Sequence, residues 1–180
     1  MSPFEYENLD TAVQDVNTPR WYAVRTRSRF ELTTSLALRD KGFTEFLPTY
    51  RSKRQWSDRV KELDLPLFPG YVFCRFSASD PWRVLNSPGV VHIVSAGNRP
   101  IPVEDREIES VRTVCGADVK ASPSPAIEPG QRLVIVRGPL KGAEGILVRT
   151  KDECRLVVSI SLLQRAISAE LEWDWIAAEC

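Results

Sequence analysis

Few residues of this 180-residue chain have the spacing that a catalytic site would require. The one histidine, His92, stands within the strand-like run VVHIV, and no serine or cysteine nucleophile motif accompanies it. A lone histidine in such a run is more often packed or edge-exposed than catalytic. The sequence therefore names no set of catalytic residues, and we expect the protein not to be an enzyme.

The glycine-rich and acidic stretches have structural interpretations. Residues 138–145, GPLKGAEG, lack the G-x-x-x-x-G-K-[ST] order of a phosphate-binding loop, so we expect their glycines at turns. Residues 104–109, EDREIE, place acids in the first turn of a predicted helix, where the helix dipole favours negative charge. That run indicates a solvated helix face rather than a pair of catalytic carboxylates.

The cysteines suggest neither a metal site nor a disulfide framework. They are scattered, without a C-x-x-C pair, at positions Cys74, Cys115, Cys154 and Cys180. No apolar run approaches the ~20 residues of a membrane helix, and the acidic N-terminus does not resemble a secretory signal. We expect a cytoplasmic protein that needs no cofactor and has no membrane partner.

Basic side chains form a more suggestive pattern, although the formal net charge of the chain is zero. Arg25, Arg27 and Arg29 straddle the end of a predicted strand and the start of a helix, where guanidinium groups can hold phosphates. Residues 50–59, YRSKRQWSDR, surround Trp56 with further cations. This segment could be a hairpin that touches nucleic acid, or a solvated edge on which Lys and Arg discourage aggregation.

The stretch LDLPLFPGYVFCRF, residues 63–76, combines a strand-like apolar run with residues that interrupt strands. Pro66 and Pro69 cannot donate to a strand ladder, and proline sits at strand edges, starts or bends. We expect Pro69 and Gly70 to bend the chain so that Phe68 faces outward instead of packing inward.

The arrangement of elements predicts two domains. Residues 1–19 have few apolar anchors and are expected to form a flexible tail. Residues 20–117 alternate about four strands with three helices, which is typical of an α+β sandwich with one sheet. In the first helix, Ser28 and Glu31 have capping-box spacing.

The residue composition changes after the first domain. Residues 118–127 contain two Ser-Pro steps and no apolar periodicity, so they are predicted to be a semi-extended linker. Residues 128–180 contain short β-rich runs separated by turns, which predicts a small β-barrel.

Four segments in this order resemble the NusG family of transcription factors: WYAVRTRSRFE, LPLFPGYVFCRF, NSPGVVHIV and EPGQRLVIVRGPLKGAEGILV. The chain looks closest to the specialised RfaH-like and UpxY-like antiterminators. The resemblance covers residues 20–180 and implies a ferredoxin-like domain of the NGN type, followed by an SH3-like β-barrel that contains a KOW segment. RfaH itself can refold its C-terminal domain between helices and a barrel. Here the segment is dense in Val, Ile and turn glycines, so we expect a barrel and no stable helical form.

The resemblance also implies binding sites. Tyr22, Phe68 and Tyr71 match positions that contact the clamp helices of the β′ subunit of RNA polymerase. Residues matched to contacts with upstream or non-template DNA are Arg27, Asn86 and Ser87, whose side chains suit phosphates or base edges.

A third implied site lies in the barrel, at SLLQR, residues 161–165. General members of the family have S-[IM]-F-G-R there and bind Rho or a small-subunit ribosomal protein. Leu162 and Leu163 keep the apolar tip, and Arg165 keeps the basic residue. However, Leu163 replaces the aromatic residue and Gln164 replaces glycine. This departure favours a specialised antiterminator over a Rho-binding factor.

The implied function is transcription elongation or antitermination through the polymerase clamp, on a subset of operons. The alternative is a ribosome-associated RNA-binding KOW protein, which usually carries far more basic charge. An enzyme with an SH3-like accessory domain would need a catalytic set that the sequence does not name.

Overall fold

The structure is a computed structural model that describes residues 17–55, 60–117, 119–125, 131–149, 154–172 and 175. The N-terminal domain contains, in chain order, β1 (Arg20–Thr26), α1 (Glu31–Asp40), β2 (Thr44–Phe46), β3 (Thr49–Gln55), β4 (Val60–Pro66), β5 (Tyr71–Phe76), α2 (Trp82–Leu85), β6 (Val90–Ile93), β7 (Ser95–Ala96), β8 (Arg99–Pro100), β9 (Pro102–Val103) and α3 (Asp105–Gly116). The C-terminal domain contains β10 (Ala121–Pro125), β11 (Gln131–Val134), β12 (Glu144–Arg149), β13 (Cys154–Ile160), a 3-10 turn (Ser161–Leu163) and β14 (Arg165–Glu170).

The N-terminal sheet has the strand order β2-β5-β1-β6, and β9 pairs with the start of β1. All of these pairs are antiparallel. Strand β1 is central, and both of its faces are buried because its aromatic and branched side chains alternate between two apolar clusters. Tyr22 and Val24 pack with Leu38 of α1 and Val84 of α2, whereas the remaining cluster includes α3.

Strands β3 and β4 form a separate two-stranded hairpin. This hairpin is the predicted basic segment, and its turn, with Trp56 and Arg59, lies outside the described residues. The structure therefore confirms a hairpin without testing its contact with nucleic acid.

The C-terminal domain is a five-stranded antiparallel sheet of order β10-β14-β13-β12-β11. The β-rich runs of the sequence are strands, which confirms the predicted order of an α+β domain followed by a β domain. None of the helices in the described part of the chain combines the length and the apolar composition that a membrane-spanning helix requires.

Two local predictions were wrong. Phe30 occupies the cap position of α1, and no side chain caps the helix, so Ser28 and Glu31 do not form a capping box. Residues 121–125 of the predicted linker are strand β10, paired with β14 along its whole length. Asp118 and residues 126–130 lie outside the described residues, as do residues 1–16 of the predicted tail.

The two domains pack against each other along α3. The backbone N–H of Glu144 donates to Ser110 Oγ at 3.0 Å, and that of Ser161 donates to Glu107 Oε1 at 3.1 Å. One buried apolar cluster runs through both domains and includes Val111 of α3 and Val158 of β13. The C-terminal domain is therefore docked on the N-terminal domain.

Candidate functional site

The segment FPGY forms a tight turn, which we call the 68–71 turn. Pro69 occupies its second position and Gly70 its third, with a φ of +82° for Gly70. The N–H of Tyr71 donates to the carbonyl oxygen of Phe68 at 3.1 Å. This is the residue order of a type II turn, in which proline sets the first bend and glycine accepts the positive φ.

Buried backbone hydrogen bonds hold the 68–71 turn in place. The N–H of Gly70 donates to Glu31 Oε1 at 2.8 Å, and the carbonyl oxygen of Gly70 accepts from the N–H of Thr26 at 2.9 Å. Glu31 is only 7% exposed. Sequence reasoning missed this role because the position of Glu31, at the start of a helix, also fits a capping box.

A guanidinium group packs closely against Gly70 of the turn. A Cβ on Gly70 would lie 2.5 Å from Arg25 Nη1. The same guanidinium stacks on the ring of Tyr71, 4.8 Å from its centroid. Gly70 thus serves both the backbone conformation and the close approach of Arg25.

The C-terminal domain contributes a second guanidinium to this turn. Arg165 lies over the Tyr71 ring, 5.2 Å from its centroid, and Arg165 Nη1 donates to the carbonyl oxygen of Pro69 at 2.9 Å. The tip of the C-terminal domain, residues 161–165, therefore covers the predicted clamp-binding turn.

Phe68, which was predicted to face outward, is buried in the docked arrangement. Phe68 is 1% exposed and packs edge-on against Phe73, with ring centroids 5.5 Å apart. Its apolar cluster spans both domains, and Leu162 and Leu163 of the tip pack against that cluster. Phe68 is thus covered in an arrangement that includes the docked C-terminal domain.

Tyr22 does not lie with Phe68 and Tyr71. It packs on Phe76, with ring centroids 4.5 Å apart, in the cluster that α1 and α2 cover. Trp21, its neighbour, belongs to the cluster of Phe68 instead, and the guanidinium of Arg112 stacks 5.0 Å from its ring. Because side chains alternate along β1, Trp21 shares the cluster of Phe68 and Tyr22 does not, so the structure does not bring Tyr22 together with the other two predicted clamp-binding residues.

The residues predicted to contact DNA are neighbours in the structure. Arg27 is exposed, and its N–H donates to the carbonyl oxygen of Gly89 at 2.8 Å, which joins the β1 end to the loop after α2. Asn86 is exposed in that loop. Trp82, at the start of α2, is 68% exposed. The site thus combines a cation, an amide and an open aromatic ring.

Ser87 has a structural role in that loop. It is 5% exposed, and its hydroxyl accepts from Lys41 Nζ at 2.9 Å and donates to the carbonyl oxygen of Arg83 at 3.1 Å. Lys41 Nζ also donates to the carbonyl oxygens of Arg83 and Asn86, at 2.9 and 3.0 Å. Lys41, which the sequence did not single out, thus uses its ammonium group to shape the loop.

At position 164, the tip of the C-terminal domain keeps the left-handed backbone conformation that glycine would favour. Gln164 has a φ of +49°, in the left-handed region. Leu162, Leu163 and Arg165 are partly buried. The three predicted partner-binding residues of the tip are therefore together, but they face the N-terminal domain.

The cysteines of the N-terminal domain are not reactive groups. Burial, reinforced by the charge of Glu45, raises the pKa of the Cys74 thiol to about 12. Burial likewise raises the pKa of Cys115 to about 11, against a lowering by its hydrogen bond with Thr49. Both thiols stay protonated near neutral pH, so neither is a nucleophile.

Two adjoining surfaces therefore define the candidate site. One is the 68–71 turn, whose backbone is held by Glu31. The other comprises Arg27 after β1, Trp82 of α2 and Asn86 in the loop after α2. Comparison with known proteins identifies the family of the chain. The family model described as "Transcription termination factor nusG" matches residues 19–112.

Curated relatives extend the similarity to most of the chain. The transcription termination/antitermination protein NusG of Staphylococcus carnosus is 27% identical over 178 residues, 91% of this chain and 97% of the relative. The proteins of the same name from Pseudomonas aeruginosa and Escherichia coli (strain K12) are 25% and 26% identical over 171 residues, 87% of this chain and 97% and 94% of the relatives.

A solved structure shares the fold. The structure concerned with domain interaction in Thermotoga maritima NusG is 23% identical, with a TM-score of 0.53, over 89% of this chain and 97% of that chain. The chain belongs to the NusG family of transcription termination/antitermination factors.

Proposed function

We propose that this protein is a transcription elongation and antitermination factor that binds RNA polymerase at the clamp helices of the β′ subunit. It suppresses pausing or termination on a subset of operons, without catalysis or a cofactor, in the cytoplasm. The observation that carries the proposal is the 68–71 turn. It combines aromatic side chains with a backbone held by Glu31 and Thr26.

Aromatic anchors on a rigid support are typical of interface hot spots. Trp21, Phe68 and Tyr71 lie in or against one apolar cluster, and the turn that carries Phe68 and Tyr71 is positioned before any partner arrives. A preformed anchor loses little conformational entropy on binding, which favours affinity.

Clamp binding at this turn requires the C-terminal domain to move. Arg165 bonds to Pro69 and stacks on Tyr71, so a polymerase helix cannot reach those groups in the docked arrangement. Release would also free Leu162, Leu163 and Arg165 for a second partner. A small-subunit ribosomal protein or Rho would be that partner.

The second surface would contact the upstream or non-template DNA. Arg27 suits a phosphate, the Asn86 amide suits a base edge, and the open ring of Trp82 offers a stacking surface. Ser87 supports the loop through its bonds with Lys41 and Arg83 instead of contacting a base.

A titration of the full chain against isolated clamp helices tests the proposal. Phe68→Ala and Tyr71→Ala should each weaken binding by about tenfold or more, the usual cost of truncating a hot-spot aromatic. Trp82→Ala is the matched control, because it removes an exposed aromatic ring away from the turn. Equal affinities for all three folded variants would overturn the proposal. Capture of ribosomal proteins without polymerase would favour the KOW alternative.

A further inference from the structure

Helix α1 buries polar side chains and exposes leucines. Three of its four buried positions hold polar residues, Glu31, Thr34 and Ser35. By contrast, Leu32 is 64% exposed and Leu36 is 45% exposed. A surface helix ordinarily has the opposite pattern, with its apolar stripe facing the core. The outer face of α1 is therefore an apolar surface that the described part of the chain leaves uncovered.

Hydrogen bonds of the buried polar side chains fix this orientation of α1. Thr34 Oγ1 donates to the carbonyl oxygen of Pro88 at 2.8 Å, and Ser35 Oγ donates to the carboxylate of Glu45. A rotation of the helix that buried its leucines would break these bonds and leave polar groups unpaired in the interior. The exposure of the leucines is thus a property of the fold.

The exposed leucines belong to one stripe. Leu32 and Leu36 are four residues apart and lie on the same face of the helix, and Arg39 follows them on that face. Phe30, at the start of the helix, is 40% exposed. We call Phe30, Leu32, Leu36 and Arg39 the α1 stripe. An apolar patch with a polar border is typical of an interaction surface.

The charges that α1 and the loop before it expose are mainly positive. Arg27 and Arg29 are exposed in that loop, and the side chain of Arg39 stays 66% exposed although it pairs with Glu45. Within α1, whose residues are all described, Asp40 is the exposed carboxylate. The α1 stripe therefore suits a segment that combines apolar side chains with acids.

Residues 1–16, MSPFEYENLDTAVQDV, have this composition and lie outside the described residues. They contain four acidic residues and no basic one. Their few apolar side chains are spread among these acids, at Phe4, Tyr6, Leu9, Val13 and Val16. Their charge and their apolar content thus complement those of the α1 stripe.

The point at which this segment joins the fold is close to α1. Tyr22 of β1 and Leu38 of α1 belong to one buried cluster, so the C-terminal half of α1 lies near the start of β1. Residues 1–16 can extend about 50 Å, whereas the 10 residues of α1 span about 15 Å. The segment is therefore long enough to follow the whole stripe.

A second copy of the chain complements this surface less well. A twofold interface presents the same patch from both copies. With two α1 helices antiparallel, Arg29 of one copy would face Arg39 of the other, and like charges repel. The acidic segment meets no such repulsion.

From this complementarity we infer that residues 1–16 bind the α1 stripe of their own chain. Their apolar side chains cover Leu32 and Leu36, and their carboxylates lie towards the arginines. The inference goes beyond the proposed function and does not depend on it. A short tether gives an effective concentration of about 1 mM, so a contact with a dissociation constant of about 0.1 mM would be closed in roughly ten of eleven molecules.

Cleavage of the full chain by a glutamyl endopeptidase tests the inference. The rate of cutting after Glu5 and Glu7 is followed by the mass of the released fragment, with the free peptide 1–16 as the reference substrate. In one variant, Leu32→Gln with Leu36→Gln removes the apolar stripe and keeps a good helix propensity. The matched control is Val134→Thr with Val136→Thr, which removes two valines that are 51% and 42% exposed in the C-terminal domain.

We expect the wild type to be cut about tenfold more slowly than the free peptide, which is the ratio of closed to open molecules at that effective concentration. The Leu32→Gln, Leu36→Gln variant should be cut nearly as fast as the peptide, and the valine control should stay protected. Cutting of the wild type at the rate of the peptide would overturn the inference, and so would full protection in the leucine variant.

A second variant covers the case in which the leucine substitutions disturb the helix. Leu9→Gln with Val13→Gln changes the segment and leaves α1 intact. It should speed cutting after Glu5 and Glu7 and shift the amide resonances of Leu32 and Leu36. The amides of Val134 and Val136 should not move. Unchanged α1 resonances would overturn the inference.

The dependence on protein concentration separates the two possible occupants. Binding within one chain gives the same protection at every concentration. Protection that rises with concentration, together with a dimer in analytical ultracentrifugation, would assign the α1 stripe to a second copy and overturn the inference.

Discussion

Arg165 of the C-terminal domain donates a hydrogen bond of 2.9 Å from Nη1 to the carbonyl oxygen of Pro69 in the N-terminal domain. The same guanidinium lies over the ring of Tyr71. One side chain thus joins the tip of one domain to the aromatic turn of the other. Two predicted binding surfaces cover each other through this contact, so their availability is coupled.

Replacing Arg165 should raise the affinity of the full chain for clamp helices. Arg165→Ala removes a hydrogen bond that exists only in the docked arrangement, so the open arrangement gains population, with an expected threefold to tenfold tighter binding. Calorimetric titration measures this. Arg132→Ala, an exposed arginine elsewhere in the domain, is the control. Weaker binding by Arg165→Ala would mean that Arg165 contacts the partner instead.

Removal of the Glu31 carboxylate should destabilise the N-terminal domain. Glu31→Ala leaves the buried N–H of Gly70 without its acceptor, at an expected cost of about 1–3 kcal/mol in the free energy of unfolding. Glu31→Gln keeps an amide oxygen in that place and should cost less. Urea denaturation of the three proteins checks the order, and equal losses for Ala and Gln would refute the hydrogen-bond explanation.

A methyl group at Gly70 should displace Arg25 from Tyr71. Gly70→Ala carries the backbone cost of a positive φ, roughly 1 kcal/mol, and also the clash with Arg25 Nη1. Gly142→Ala is the matched control, since Gly142 has a φ of +89° but nothing within 4 Å of a Cβ. The loss of stability in Gly70→Ala beyond that in Gly142→Ala, measured by denaturation, gives the cost of the clash with Arg25. No excess would mean that Arg25 moves without cost.

Arg27→Ala should make binding to an elongation complex less dependent on salt. A cation that neutralises a phosphate releases counterions, so the slope of log affinity against log salt should flatten by roughly 0.7–0.9. Arg99→Ala, another exposed arginine of the same domain, should leave the slope unchanged. If Arg27→Ala and the wild type have the same slope, Arg27 does not contact DNA.

The buried thiol of Cys74 should lower stability at alkaline pH. Its pKa is about 12 in the folded protein, against an ordinary value of 9.0. As pH rises between these values the unfolded thiol loses its proton and the folded one keeps it. The free energy of unfolding therefore falls, by up to about 1.4 kcal/mol per pH unit from this group. Cys74→Ala should show a shallower decline in denaturation midpoints above pH 9. An identical decline would remove Cys74 as a cause.

Local chemistry in the sequence was enough to predict several elements. The Pro-Gly pair in FPGY predicts a tight turn because proline sets one dihedral angle and glycine accepts a positive φ, and the structure has that turn. The spacing of Ile108, Val111 and Cys115 predicts a helix there, and α3 spans Asp105–Gly116. These predictions hold because they depend on neighbours within a few residues.

Tertiary packing decided which of these residues act together. Trp21 and Tyr22 are adjacent in the sequence. Only the position of β1 between two apolar layers shows that Trp21, and not Tyr22, shares the cluster of Phe68. Glu31 fits a helix cap by spacing, whereas the folded chain brings Gly70, 39 positions away, to its carboxylate. Contacts across such separations depend on how the layers stack, which local propensities do not specify.

The Ser-Pro stretch shows most clearly what the local sequence determines and what the tertiary structure decides. By itself the sequence determined that these residues are extended, because proline restricts its own φ and the residue before it. Whether an extended segment is a free linker or a strand depends on a partner edge, and only the folded β14 supplies one, with a register that turns both prolines outward. The burial of Phe68 also depends on the tertiary structure, because the docked C-terminal domain is part of the arrangement that covers it.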